Sequence, residues 1–171
     1  ASTDRAIATG LPGTAFGDVF LVPGMALKDP KGIRDIEEWY ISTVIRQDLI
    51  KEIFDRQADI AIENLKLLYE AVGEKIEVAF ICGTDLAAQE TLFCSPQTYD
   101  ELYAPYHKRV NDWIHANTGW KTMKHCCGAC EPLMVSEGPM AAFNWLNNRS
   151  RRWSIRAALD SKPRDAATAA A

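Results

Sequence analysis

No apolar run in this chain approaches the ~20 residues that a bilayer-crossing helix needs, and its first residues lack the basic-then-apolar layout of a secretion signal. Both absences lead us to expect a cytoplasmic chain with no membrane partner. A basic stripe interleaved with aromatics is also missing. Arg149 to Arg152 reads as part of a solvated tail, and a net charge of −4 with a pI near 5.4 argues against a nucleic-acid partner. Internal repeats are not detectable. Cysteine is scarce and clumped: of five, three fall within Cys126 to Cys130, an odd and bunched set that does not suit a disulfide framework and fits reduced thiols better. What remains is the composition of an ordinary globular protein, 47% hydrophobic and 25% charged, and 171 residues are enough for one domain with a real core.

Along the chain, Ala1 to Thr14 is small and polar, so residues 1–15 read as an irregular lead-in. Val19 to Val22 reads as a short strand followed by a Pro23-Gly24 turn. A helix begins near Ile33 and carries Trp39, Tyr40 and Val44, with Asp35, Glu37 and Glu38 where the helix dipole favours acids. The clearest helix runs from Gln47 to Ala71. Ile50, Ile53, Phe54, Ile60, Ala61, Leu67 and Leu68 recur there at three- and four-residue steps, with charged residues between them. Gly73 ends it, and Lys75 to Gly83 turns into the continuously apolar pattern of an interior parallel strand, with Asp85 just beyond its end.

Ser95 then caps a helix whose first position is Pro96 and which continues to about Asn117, with a break expected at Pro105. Trp120 to Cys126 is the next strand. Strand, helix, strand in this order, joined by short turns, indicates parallel α/β units. A helix-turn is expected over Leu133 to Leu146, and residues 147–171 form a low-complexity tail read as disordered or weakly helical.

The end of that last strand concentrates metal-binding side chains. His125 and Cys127 are two residues apart, and a strand's period of two puts both on one face. An imidazole nitrogen and a thiolate sulfur suit zinc, whereas magnesium or calcium would call for oxygen. Cys127 and Cys130 also make a Cys-x-x-Cys, which leaves a redox reading open, and cysteines of this kind can equally be small buried hydrophobes. Cys126 should face the opposite way, into the core, and Cys82 and Cys94 read as packing residues.

The ordered series of motifs resembles the uroporphyrinogen decarboxylase superfamily. It comprises Thr84-Asp85-Leu86-Ala87-Ala88-Gln89, the Ser95-Pro96 helix with Tyr99 and Pro105, His115, Thr118-Gly119, and His125-Cys126-Cys127-Gly128. Within that superfamily it is most like the corrinoid-dependent methyltransferases, which show Asp-Leu-Gly-Thr-Gln after one strand and His-x-Cys-Gly after the next. The stretches Lys31 to Trp39 and Glu63 to Gly73 are similar to the intervening helices, and the likeness covers roughly Phe16 to Met134.

The resemblance implies an α/β fold: a partial TIM (β/α) barrel, parallel strands alternating with long helices, incomplete at both ends because a whole barrel takes about 250 residues. The barrel-like domain spans residues 16–146. Asp85 and His125-x-Cys127 each fall just past a parallel strand, where such barrels keep their chemistry. The relatives bind zinc through the His-x-Cys pair and a later cysteine. The zinc accepts a thiol such as coenzyme M, which takes a methyl group from a corrinoid carried by a partner protein.

Three departures stand out. Ala87-Ala88 replaces Gly-Thr, no cysteine follows Cys130, and the chain matches only a middle portion of the barrel. The expected metal ligands are therefore His125 and Cys127, with Cys130 as a surrogate third; Asp85 and Gln89 are the expected catalytic or substrate-orienting residues. The alternatives are a cofactor-free decarboxylase of tetrapyrrole carboxylates and an inactive fragment. The chain alone is expected to be inactive and prone to aggregation, because an incomplete barrel leaves strand edges and helix faces uncovered.

Overall fold

The computed structural model describes residues 4–11, 13–19, 21–81, 84–134 and 144–147. Among the described residues, four strands form one all-parallel sheet in chain order: β1 (Ala8–Leu11), β2 (Val78–Ile81), β3 (Lys121–Cys126) and β4 (Asn144–Asn147). In register, Ala8 pairs with Val78, Val78 with Lys121, and Met123 with Asn144. Parallel neighbours need long crossovers, and helices supply them. α1 (Ile36–Ile45) and α2 (Gln47–Val72) join β1 to β2; α3 (Pro96–Leu102) and α4 (Ala104–Asn117) join β2 to β3; the short α5 (Glu131–Met134) follows β3. The chain is thus mixed α/β with a parallel sheet, as expected. No helix among the described residues is long and apolar enough to cross a membrane.

Local chemistry sets the helix limits. The Asp35 carboxylate accepts from the Glu38 amide at 2.9 Å and caps α1; the Ser95 hydroxyl accepts from the Thr98 amide at 3.0 Å and caps α3, with Pro96 in its first turn. Pro105 has no N–H to offer the carbonyl four residues back, and the expected break falls at Tyr103, between α3 and α4.

The core lies between the sheet and α2, α3 and α4. From α2 it takes Ile50, Phe54, Ala58, Ala61 and Leu65; from α3 and α4 it takes Tyr99, Leu102, Tyr106, Val110 and Ile114. The Phe54 ring meets those of Phe16, Trp39, Tyr103 and Tyr106 at centroid distances of 5.4 to 6.0 Å. Such pairs add about 0.5–1.5 kcal/mol beyond area burial.

Four expectations are corrected. The strand expected over Val19 to Val22 is a turn: the Leu21 and Val22 amides both donate to the Asp18 carbonyl, and Gly17 (φ 61°) places backbone where a side chain would strike the Trp39, Phe54 and Tyr103 rings. Phe16 and Val22 are buried by loop packing and not by a sheet. The first strand lies instead in the supposed lead-in, at Ala8–Leu11, where only Leu11 is buried and the apolar signal is faint. In α1 and α2, Val44, Ile53, Ile60 and Leu67 are exposed, because the core takes only a narrower face of the long helix. Within the expected helix-turn at 133–146, Asn144 begins β4, since pairing with β3 outweighs local helical pattern. Of the tail expected over 147–171, Asn147 is the last residue of β4, and residues 148–171, like Cys82, lie outside the described residues.

Candidate metal centre

Parallel strands end at the same edge of the sheet, so the segments leaving β1, β2 and β3 share one end of the molecule. The stretch after β2 is anchored on both sides. The Thr84 hydroxyl donates to the Phe16 carbonyl beyond β1, and the Leu86 amide donates to Cys126 Sγ at 3.3 Å. Leu86 and Phe93 then close a small loop through the Ala87–Leu92 bridge. The exit from β3 is tied to this loop, with the Ala129 amide donating to the Ala88 carbonyl at 2.8 Å. Gly128 (φ 80°) makes that approach feasible: a Cβ there would collide with the carbonyl oxygens of Ala87 and Ala88.

Between the two anchored loops, Asp85, His125 and Cys127 converge. The Asp85 carboxylate accepts from the Cys127 amide at 2.8 Å, and His125 Nε2 lies 3.0 Å from Cys127 Sγ. One donor atom from each of the three residues lies within 4.8 Å of the other two. Zinc distances of about 2.0–2.3 Å to nitrogen, oxygen and sulfur place any two ligands of one ion within about 4.6 Å, so the set can close on an ion with small side-chain movements. Nitrogen, sulfur and one carboxylate oxygen suit a borderline-soft divalent ion. Asp85 is buried; His125 and Cys127 are partly exposed, leaving an approach from solvent.

The same-face placement of His125 and Cys127 and the inward placement of Cys126 are as expected. Asp85, expected to orient substrate, stands beside the pair with a carboxylate oxygen within 4.8 Å of both donor atoms. Cys130 is not brought to this cluster. It is fully buried beside Cys126, whose own thiol donates to the Cys127 carbonyl at 3.4 Å, and the contact between the two thiols raises the Cys126 pKa and lowers that of Cys130. Gln89 is exposed on the bend after Ala88 and makes no hydrogen bond to the three. Cys94 packs against the core, as expected, with burial pushing its thiol up to about 11.

Burial raises the Cys127 thiol above its ordinary value, and the Asp85 charge adds to the effect. Tyr40 is pushed up to about 12, first by burial and then by the charges of Cys94, Asp18 and Asp85. Asp18 and Tyr40 therefore face the same region. The sequence reading missed both, because the signal that could have found Asp18, its place just past β1, depended on locating that strand. Behind β3, on the opposite face, Lys124 is fully buried with Nζ 3.0 Å from His107 Nε2, and Tyr99 OH lies 3.2 Å from His107 Nδ1. No family model, characterised protein or solved structure matches the chain.

Proposed function

We propose that this chain carries the zinc-binding portion of a uroporphyrinogen decarboxylase-type TIM barrel, of the branch that moves a methyl group from a methylated corrinoid on a partner protein to a thiol such as coenzyme M. The observation that supports it is the convergence of Asp85, His125 and Cys127 at the ends of two neighbouring parallel strands. Three protein donors with the fourth position open is the pattern of catalytic zinc sites, whereas structural sites close all four.

When bound, zinc would supply the Lewis acidity that holds a substrate thiol as its thiolate at neutral pH. The chain's own residues do the rest. His125 is carried by β3 and Cys127 is the first residue beyond it, its amide held by Asp85. Asp85 accepts the Cys127 amide proton through Oδ1, which sets the spacing between the two loops and turns its carboxylate toward the sulfur. The raised Cys127 pKa means that its Sγ carries a proton at neutral pH until an ion displaces it, so uptake releases acid. The buried setting of Asp85 keeps water from the rear of the site.

The test is thiol binding at the metal: the spectrum of the cobalt-substituted 171-residue chain should change when coenzyme M is added, and Cys127→Ala should abolish the change. A chain that takes up one zinc, yet whose cobalt-substituted spectrum is unchanged by coenzyme M, would sink it, because the open position would then serve some other ligand.

A further inference from the structure

The Cys-x-x-Cys of the sequence does not pair as its spacing suggests. Cys127 Sγ lies 3.0 Å from His125 Nε2, on the metal-centre side of the chain. On the other face of β3, Thr122, Lys124 and Cys126 are buried in alternation, so Lys124 and Cys126 are neighbours on the core side. Cys130 joins them from beyond the strand. Gly128, at a φ of 80°, folds the chain back, the Ala129 amide holds the turn by donating to the Ala88 carbonyl at 2.8 Å, and the Leu133 amide donates to the Cys130 carbonyl at 2.9 Å as α5 begins. The result is two thiols in contact, Cys126 and Cys130, both 0% exposed and neither in a disulfide. Cys126 is fixed in its turn, because its sulfur accepts from the Leu86 amide at 3.3 Å and its thiol donates to the Cys127 carbonyl at 3.4 Å. The metal centre uses neither sulfur.

We propose that Cys126 and Cys130 form a dithiol oxidation site, which a small hydroperoxide converts to a disulfide while Cys127 stays reduced. The inference is independent of the methyl-transfer reading. Contact with Cys126, and then the Lys124 charge, draw the Cys130 thiol below its ordinary value, which makes Cys130 the attacking sulfur. Its thiolate attacks one oxygen of hydrogen peroxide and the O–O bond breaks, leaving Cys130 as the sulfenic acid, while the hydroxide released takes up the proton that Cys130 gave up. The Cys126 sulfur then attacks that of Cys130. An S–S bond forms, the S–O bond breaks, and the hydroxyl leaves with the Cys126 proton as a second water. Two thiols lose two electrons and one peroxide gains them. The three residues between the pair, Cys127, Gly128 and Ala129, are each partly exposed, so the two sulfurs lie one turn of chain below the surface. The new bond closes a ring around that turn and steers oxidation away from the sulfur of the metal centre.

Mass spectrometry of the full chain tests this, after reduction, exposure to hydrogen peroxide and alkylation of the surviving thiols in denaturant. We expect a loss of about 2 Da before alkylation, two hydrogens, with all but two of the five cysteines then alkylated. Tandem fragmentation of the unaltered chain should give no cleavage products between Cys126 and Cys130, where the ring holds both halves together, and should find Cys127 alkylated inside it. Cys127→Ser should still form the bond. Cys130→Ser and Cys126→Ser should each abolish it, and in Cys126→Ser, which lacks the resolving thiol, Cys130 should go on to the sulfinic acid with a gain of about 32 Da. A bond that takes in any other cysteine, or five thiols that all survive peroxide, would overturn the proposal. Sulfinic acid on Cys130 of the unaltered chain would overturn it as well, because Cys126 would then be out of reach of the oxidised sulfur.

Discussion

The Asp85 carboxylate accepts the backbone N–H of Cys127 at 2.8 Å, across 42 residues of chain. That bond makes one site of two strand ends. It also predicts unequal roles for the three donors. Isothermal titration with zinc should give one ion per chain, and Cys127→Ala or His125→Ala should remove measurable uptake. Asp85→Asn, which keeps an oxygen for the Cys127 amide but loses the charge, should weaken affinity by roughly ten- to a hundredfold. Equal affinity in Asp85→Asn would return Asp85 to the substrate-orienting role expected from sequence.

Gly128 should be intolerant of any side chain. Its φ of 80° and the carbonyls of Ala87 and Ala88 at the Cβ position both oppose substitution. Gly128→Ala is expected to cost about 2–4 kcal/mol in urea unfolding, combining left-handed strain with the clash. The same change should weaken zinc uptake by pushing Cys127 away from Asp85. A variant as stable as the parent would show that the loop pairing through Ala129 and Ala88 is not rigid.

Burial, helped by the nearby Lys124 charge, holds His107 well below its ordinary value of 6.5, and burial lowers His115 in the same direction. Both are therefore neutral in the folded chain while the unfolded chain protonates them below pH ~6.5. The unfolded state then binds more protons, so stability is fully present above that pH and falls as the solution is acidified toward the folded pKa. The slope is at most about 1.4 kcal/mol per pH unit for each histidine. His107→Gln should flatten the profile between pH 6.5 and 5 in pH-dependent denaturant titrations, with a pH-independent loss from the broken contacts to Tyr99 and Lys124. An unchanged slope would mean that His107 charges in place.

Phe54 is 1% exposed and is ringed by four aromatic side chains, whereas Ile53 beside it is 39% exposed. Phe54→Ala should cost about 3–5 kcal/mol and Ile53→Ala less than about 1 kcal/mol. Thermal unfolding of the two variants at low protein concentration checks the contrast. Equal losses would place Ile53 against the chain's own core.

Much of this was legible in the sequence because it depends on residues close together in the chain. The α2 periodicity, the Ser95-Pro96 start, the break at Pro105 and the common face of His125 and Cys127 follow from dihedral preferences and from the period of one helix or one strand. The His-x-Cys spacing marked the end of β3, and the place of Asp85 just beyond an apolar run marked the end of β2. Only the tertiary structure decided which distant groups meet. Parallel pairing of β2 with β3 brought Asp85 to Cys127. The turn at Gly128 swung Cys130 away toward Cys126. The pairing of β1 with β2 made a strand of Ala8–Leu11, whose own apolar signal was too weak to announce it. The sequence likewise showed that α2 is amphipathic but not where its buried face stops, because that limit is set by the placement of α4 and the sheet, and an unoccupied flank looks the same in sequence as a buried one.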